Sequence, residues 1–92
     1  MNIYSIKDVK TGSYSNPFFE NHDEIAKRAF GLNVNRGEGS LITEYPEDYA
    51  LVRLGTFDET TGKFDILKDE YFISNAYSLK KGDDDGEKKT DS

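Results

Sequence analysis

The chain has 92 residues, no cysteine, and a net charge of −6 from twelve basic and eighteen acidic side chains. This length allows one small domain, because short chains bury a small fraction of their unfolded surface. Without cysteine, neither disulfide bonds nor a thiolate metal site can stabilise the fold. The acidity disfavours non-specific nucleic-acid binding, which usually shows a basic footprint.

The N-terminal part of the chain predicts extended structure. Met1 to Val9, "MNIYSIKDV", carries β-branched and aromatic residues on both faces, which is typical of a central strand. Gly12 can supply the positive φ of the turn that follows, and residues 14–19 continue as extended chain. The start lacks the basic and apolar segments of a signal peptide, and no window could span a bilayer, so we expect a soluble cytoplasmic protein.

The stretch "NHDEIAKRAFG" predicts a helix that begins at Asn21 and ends at Gly31. Asn21 can cap the free N–H groups, with Glu24 three residues later, and Gly31 can close the helix in the left-handed conformation. An apolar stripe at helical spacing predicts packing against a sheet, and it consists of Ile25, Ala26, Ala29 and Phe30. The Gly- and Asn-rich segment 33–40 predicts a mobile loop.

The second half predicts a β-hairpin and a last strand. Gly55 interrupts the alternation of apolar residues in "ALVRLGTF" and indicates a bulge, and "DETTG" provides a turn with Gly62 at positive φ. "EYFISNAYSL" predicts another strand. Residues 79–92 have little apolar content and predict a disordered charged tail after a single compact domain of residues 1–78.

These elements predict an α+β fold in which one helix packs on a small antiparallel sheet of four to five strands. An OB-like barrel is the alternative, because a five-stranded barrel is a common architecture for binding single strands. The predicted core consists of Ile3, Ile6, Phe19, Ile25, Ala29, Phe30, Leu51, Leu54, Phe64, Ile66 and Phe72.

Residues suited to catalysis or metal binding are sparse. The only imidazole, His22, falls in the first turn of the predicted helix and has no cysteine nucleophile to activate. Asp23 beside it points elsewhere on a helix, and Asp83 to Asp85 lack the spacing of a calcium loop. We therefore predict no enzyme activity, no metal site and no cofactor.

Basic residues interleaved with tyrosine form the strongest candidate site. If they converge, bases could stack on a tyrosine while cations follow the phosphates, as in sequence-tolerant single-strand binders. The candidate nucleic-acid-binding residues are Lys7, Lys10, Tyr14, Lys27, Arg28 and Arg53. An ordinary charged surface explains the same residues, and the net acidity favours an alternative: a protein-interaction module that forms a homodimer or blocks a host factor.

Four blocks in order, "MNIYSIKDVKTGSYSNPFF", "AKRAFG", "YPEDYALVRLGTFDETTGKF" and "FISNA", resemble the small nonstructural protein family of gokushoviruses, the single-stranded DNA phages of the Microviridae. The resemblance runs from Met1 to about Ala76. It implies a non-capsid accessory of viral DNA replication in the host bacterial cytoplasm, associated with the switch to single-stranded genome synthesis. Single-stranded DNA or the phage replication initiator are the implied partners, and the resemblance brings no catalytic residues.

Overall fold

The computed structural model describes residues 1–36 and 40–81. Five strands form one antiparallel sheet: β1 (Asn2–Asp8), β2 (Ser13–Tyr14), β3 (Phe18–Glu20), β4 (Tyr49–Asp58) and β5 (Lys63–Asn75). The strand order is β2–β1–β4–β5, and β3 pairs with the same side of β1 as β2 but at its other end. The predicted α+β fold is confirmed. The sheet is open, so the OB-like barrel is not the observed architecture.

Helix α1 (Asp23–Val34) lies across the sheet, and the one-turn helix α2 (Leu41–Glu44) follows it. Single turns of 3-10 helix at Pro46–Asp48 and Tyr77–Leu79 lead into β4 and out of β5. The prediction for the ends of α1 was wrong. His22 rather than Asn21 precedes the first helical residue, and Gly31 lies inside the helix.

The C-terminal end of α1 is set by Asn35. Its side-chain amide donates to the Gly31 carbonyl at 2.8 Å and to the Leu79 carbonyl at 2.9 Å. Val34, the last helical residue, is fully buried, which gives the helix an apolar anchor one turn beyond the predicted end. The predicted loop therefore loses its first two residues to the helix, and residues 37–39 lie outside the described part of the chain.

The core lies between α1 and one face of the sheet. Tyr4 and Leu51 contribute from β1 and β4, and Phe30 contributes from α1. The remaining buried members of this cluster are Ala26, Val34 and Ala76. We call the opposite side of the sheet the helix-free face. It carries the side chains of Ser5 and Val52, which are neighbours in the β1–β4 pairing and alternate with the core-facing residues.

The predicted core was right for some residues and wrong for others on both sides of the sheet. Phe30, Leu51 and Ile3 are buried, but Phe64, Ile66 and Phe72 are 59%, 61% and 57% exposed. Phe19 and Ile25 are also exposed. The alternation of apolar residues in a strand shows which residues share a face but not whether a second layer covers that face. Within the described residues, α1 covers one face of the sheet.

The chain continues in contact with the domain past residue 78. Leu79 packs against the core, and Lys80 Nζ donates to the Thr43 carbonyl at 2.6 Å. The division into residues 1–78 and a tail stays a prediction, and residues 82–92 lie outside the described residues. No helix in the described part of the chain is long and apolar enough to cross a membrane.

Candidate nucleic-acid interface

The six predicted binding residues do not form one surface. Lys7 and Tyr14 lie together on the helix-free face, and Lys10 is exposed in the turn between β1 and β2. Arg53 lies in register with Tyr4 and therefore points to the face that α1 covers. Lys27 and Arg28 belong to α1. The structure thus brings together two pairs, Lys7 with Tyr14 and Lys27 with Arg28, but it does not place all six residues on one surface.

Lys7 and Tyr14 meet at Glu70 of β5. The Lys7 ammonium lies 2.9 Å from a Glu70 carboxylate oxygen and 5.5 Å from the centre of the Tyr14 ring. The Tyr14 hydroxyl donates to the other carboxylate oxygen. Hydrogen bonds from Tyr14 and Lys7 lower the pKa of Glu70, and the hydrogen bond to Glu70 raises the pKa of Lys7. Lys7 is therefore neutralised by a partner within the chain.

Arg53 is also paired. Its guanidinium lies 2.7 Å from the carboxylate of Asp23, the first residue of α1, and 4.6 Å from the centre of the Tyr71 ring. Both partners are about two-thirds buried, with side chains 27% and 32% exposed. An arginine in this position fixes the start of α1 to the sheet, because its charge and its planar surface are both engaged.

Lys27 and Arg28 line a shallow hollow of about 350 Å³ between α1 and the C-terminal segment. Lys81 adds a third cation there, and Glu24 adds an acid. This hollow lies on the α1 side of the molecule, apart from Lys7 and Tyr14. It offers positive charge but no aromatic side chain among its lining residues.

A row of three phenylalanine rings, two of which were predicted to lie in the core, is on the helix-free face. The centre of the Phe57 ring lies 5.8 Å from that of Phe19 and 4.8 Å from that of Phe64. Phe19 pairs with Ile3, and Phe57 pairs with Phe64, so β-sheet register aligns the three side chains. We call Phe19, Phe57 and Phe64 the aromatic row. It presents ring surface to solvent on the helix-free face, on which Ser5 and Val52 are buried.

A bulge in β5 shapes the same face. Between the pairs Arg53–Tyr71 and Gly55–Ile66, β4 has one residue and β5 has four, so residues 67–70 leave the ladder. Gly55 permits the close approach of the two strands beside this bulge. A Cβ atom at position 55 would overlap the Asp65 carbonyl oxygen and lie 2.9 Å from the Ile66 Cα.

The bulge and the segment after β2 enclose a cleft of about 420 Å³, which we call the bulge cleft. Tyr14, Ser15 and Pro17 line one side, and Leu54 lines the base. The other side is formed by residues 66, 67, 68 and 70, of which Ile66 and Leu67 are exposed apolar side chains. The contacts of Glu70 with Lys7 and Tyr14 close one end.

Comparison with known proteins gives a family and no closer relative. A family model described as "Phage ORF5 protein" matches residues 1–79. The chain belongs to this phage ORF5 protein family. No curated protein and no solved structure matches the chain.

The phage ORF5 match covers the aromatic row, the bulge cleft and all six predicted binding residues. The sequence analysis missed Leu67, Lys68 and Glu70 as site residues. The one sequence signal for this part of β5 is the alternation of apolar and charged residues, since Asp65 lies between Phe64 and Ile66. A charged residue between two apolar ones indicates a strand with one face in solvent. Nothing in the sequence signals that residues 67–70 bulge, because the pairing partner of a strand determines its irregularities.

Within residues 1–36 and 40–81 of this ORF5-family chain, no group of three or more His, Asp or Glu side chains is placed to hold a metal ion. The same residues carry ten basic and twelve acidic side chains, so the described part of the chain is nearly balanced in charge. Much of the net charge of −6 therefore comes from residues 38 and 82–92.

Proposed function

We propose that this phage protein is a nonenzymatic accessory of viral DNA replication that acts by binding single-stranded DNA. The family supports a phage accessory protein. The resemblance to gokushoviruses of the Microviridae supports a role in the switch to single-stranded genome synthesis, in the cytoplasm of the host bacterium. The observation that carries the proposal is the aromatic row, which is exposed at one end of the helix-free face of an antiparallel sheet.

The aromatic row suits unpaired bases. Sheets that bind single strands stack successive bases on exposed aromatic side chains, and this stacking tolerates sequence because every base has a flat π-face. Phe64 is 59% exposed and Phe19 is 38% exposed, so both rings have surface to offer. Stacking between neighbouring base pairs hides these faces in a duplex, and the interface therefore favours single strands.

The charges predict that stacking contributes more than phosphate contacts. Lys7 and Arg53 are held by Glu70 and Asp23, and neither is free to replace counterions on the DNA backbone. Binding that neutralises few phosphates depends weakly on salt concentration. We expect a shallow salt dependence for this protein, in contrast to the steep one of a basic groove.

The test is fluorescence anisotropy of a labelled oligothymidylate titrated with the protein over a salt series. Phe64→Ala should weaken binding by about 5- to 150-fold, which corresponds to the ~1–3 kcal/mol of one base–aromatic stack. Tyr45→Ala is the control, because Tyr45 is a comparably exposed aromatic side chain, 53% exposed, outside the row. Equal loss in both variants would argue against the row, and no binding at the lowest salt would overturn direct DNA binding.

A protein partner is the second candidate, and the paired state of Lys7 and Arg53 favours it. A chain with a net charge of −6 suits a basic partner such as a replication initiator. The same uncovered face could serve a homodimer or a contact with a host factor, since exposed apolar surface marks protein interaction sites. Co-purification with the phage initiator, together with sedimentation of the isolated protein, separates these routes from the DNA route.

A further inference from the structure

The bulge cleft lies beside the aromatic row on the helix-free face. Ile66 connects the two, since it lines the cleft and lies two residues from Phe64 on the same strand, where side chains at that spacing share a face. A strand of DNA that stacks on Phe64 therefore passes the mouth of the cleft.

The lining of the cleft has the character of a small-molecule site. Its volume of about 420 Å³ lies in the range of ~300–1,000 Å³ that ligand pockets occupy. Pro17, Leu54 and Leu67 provide apolar walls, and the Tyr14 ring provides a flat one. Ser15, Lys68 and Glu70 add polar groups to the lining, and such groups can orient a flat ring by its edge.

Two charged residues, Glu70 and Lys68, line the cleft. Glu70 is neutralised by Lys7 and accepts from Tyr14, so its carboxylate does not confront an incoming anion alone. Lys68 is exposed and makes no ion pair with any residue in the described part of the chain. The cleft thus pairs an apolar interior with one available ammonium group at its edge.

We propose that the bulge cleft binds one nucleotide of single-stranded DNA, with the base inserted between Tyr14 and Leu67 and its phosphate against Lys68. This inference rests on the proposed function and deepens it, because it divides the interface into a stacking row and one subsite in the bulge cleft. A flat ring with an attached anion matches both halves of the cleft. A duplex does not fit, since its bases are not free to enter.

The experiment is an NMR titration of the isotope-labelled protein with thymidine monophosphate, with thymidine, and with a short oligothymidylate. Thymidine monophosphate should shift the signals of Leu54, Ile66 and Leu67 in a saturable way. Lys68→Gln should weaken binding of the monophosphate by about 1.5- to 5-fold and leave thymidine binding unchanged, because one surface ion pair contributes up to about 1 kcal/mol. Lys63→Gln, also on β5 but outside the cleft, is the control.

The outcomes separate the cleft from the wider function. Oligonucleotide binding that shifts the aromatic row but not the cleft would overturn the subsite and keep the proposed function. Monophosphate binding in the cleft without oligonucleotide binding would keep the subsite and overturn the proposed function. Absence of both would overturn both, and an equal effect of Lys68→Gln and Lys63→Gln would overturn the role of Lys68.

Discussion

Arg53 and Asp23 connect the centre of the sheet to the first residue of α1. One guanidinium nitrogen of Arg53 lies 2.8 Å and 2.7 Å from the two carboxylate oxygens of Asp23. The hydroxyl of the buried Tyr4 donates to the same carboxylate at 2.7 Å. Three elements therefore depend on one acid, which also suits the positive end of the helix dipole.

Asp23→Asn should lower the free energy of unfolding by about 1–2 kcal/mol at neutral pH, because hydrogen bonds to a charged group are lost from a partly exposed site. Burial raises the pKa of Asp23, but hydrogen bonds from Tyr4 and Arg53 outweigh it and hold this pKa below 3.8. The contribution is complete above pH 3.8 and is lost as pH falls through the lower, folded-state pKa.

Urea denaturation of the two proteins between neutral and strongly acidic pH checks this. The free energies of unfolding of the two proteins should converge in acid, because the protonated carboxyl of Asp23 is then as uncharged as the amide of the variant. Glu24→Gln is the matched control, since it removes the neighbouring acid of the same helical turn. A difference that persists unchanged at low pH would contradict the assignment to the ionised carboxylate.

The raised pKa of Tyr4 predicts a loss of stability at alkaline pH. Burial, and then its hydrogen bond to Asp23, raises the pKa of Tyr4 to about 12 from 10.0. The folded state therefore keeps the neutral phenol when the unfolded chain has ionised. This stability is complete below pH 10.0 and is lost as pH rises towards 12. Tyr4→Phe should remove this part of the alkaline loss of stability, measured as the free energy of unfolding in denaturation experiments. Tyr45→Phe is the control, because the Tyr45 ring is exposed, and this variant should retain the loss.

Phe30 tests the packing of α1 on the sheet. Its side chain is 1% exposed, so Phe30→Ala should destabilise the protein by about 3–5 kcal/mol through lost burial and a residual cavity. Leu32→Ala, two residues further on the same helix and 72% exposed, should change stability by less than about 0.5 kcal/mol. Similar thermal midpoints for the two variants would contradict the observed orientation of α1.

Two glycines should respond to alanine in opposite directions. Gly55→Ala places a Cβ atom against the backbone of Asp65 and Ile66, and it should destabilise by about 1–3 kcal/mol. Gly31→Ala in α1 meets only Leu79, at 3.9 Å, and should stabilise by roughly 0.5–1 kcal/mol through helix propensity. Calorimetry of both variants measures the two effects, and a neutral Gly55→Ala would show that the strands separate easily beside the bulge.

The sequence predicted the elements better than their surroundings. The fold class, the strand of Met1 to Val9 and the bulge near Gly55 follow from local alternation, and all appear in the structure. The exposure of Phe64 does not follow from the sequence, because apolar residues alternate in the same way in a strand covered by a helix and in a strand exposed to solvent. The ion pair of Lys7 does not follow from the sequence either, because its partner Glu70 is sixty-three residues away.

The bulge of residues 67–70 also bears on the solubility of the protein. β5 pairs with β4 on one side, and within the described residues its other side meets no strand, so thirteen residues form an outer border of the sheet. A flat border of that length would be a template on which further copies could add strand by strand. The four looped-out residues break it into two short runs, and Lys68 and Asp69 place charge at the break. The protein can therefore expose an apolar face while discouraging growth into fibrils.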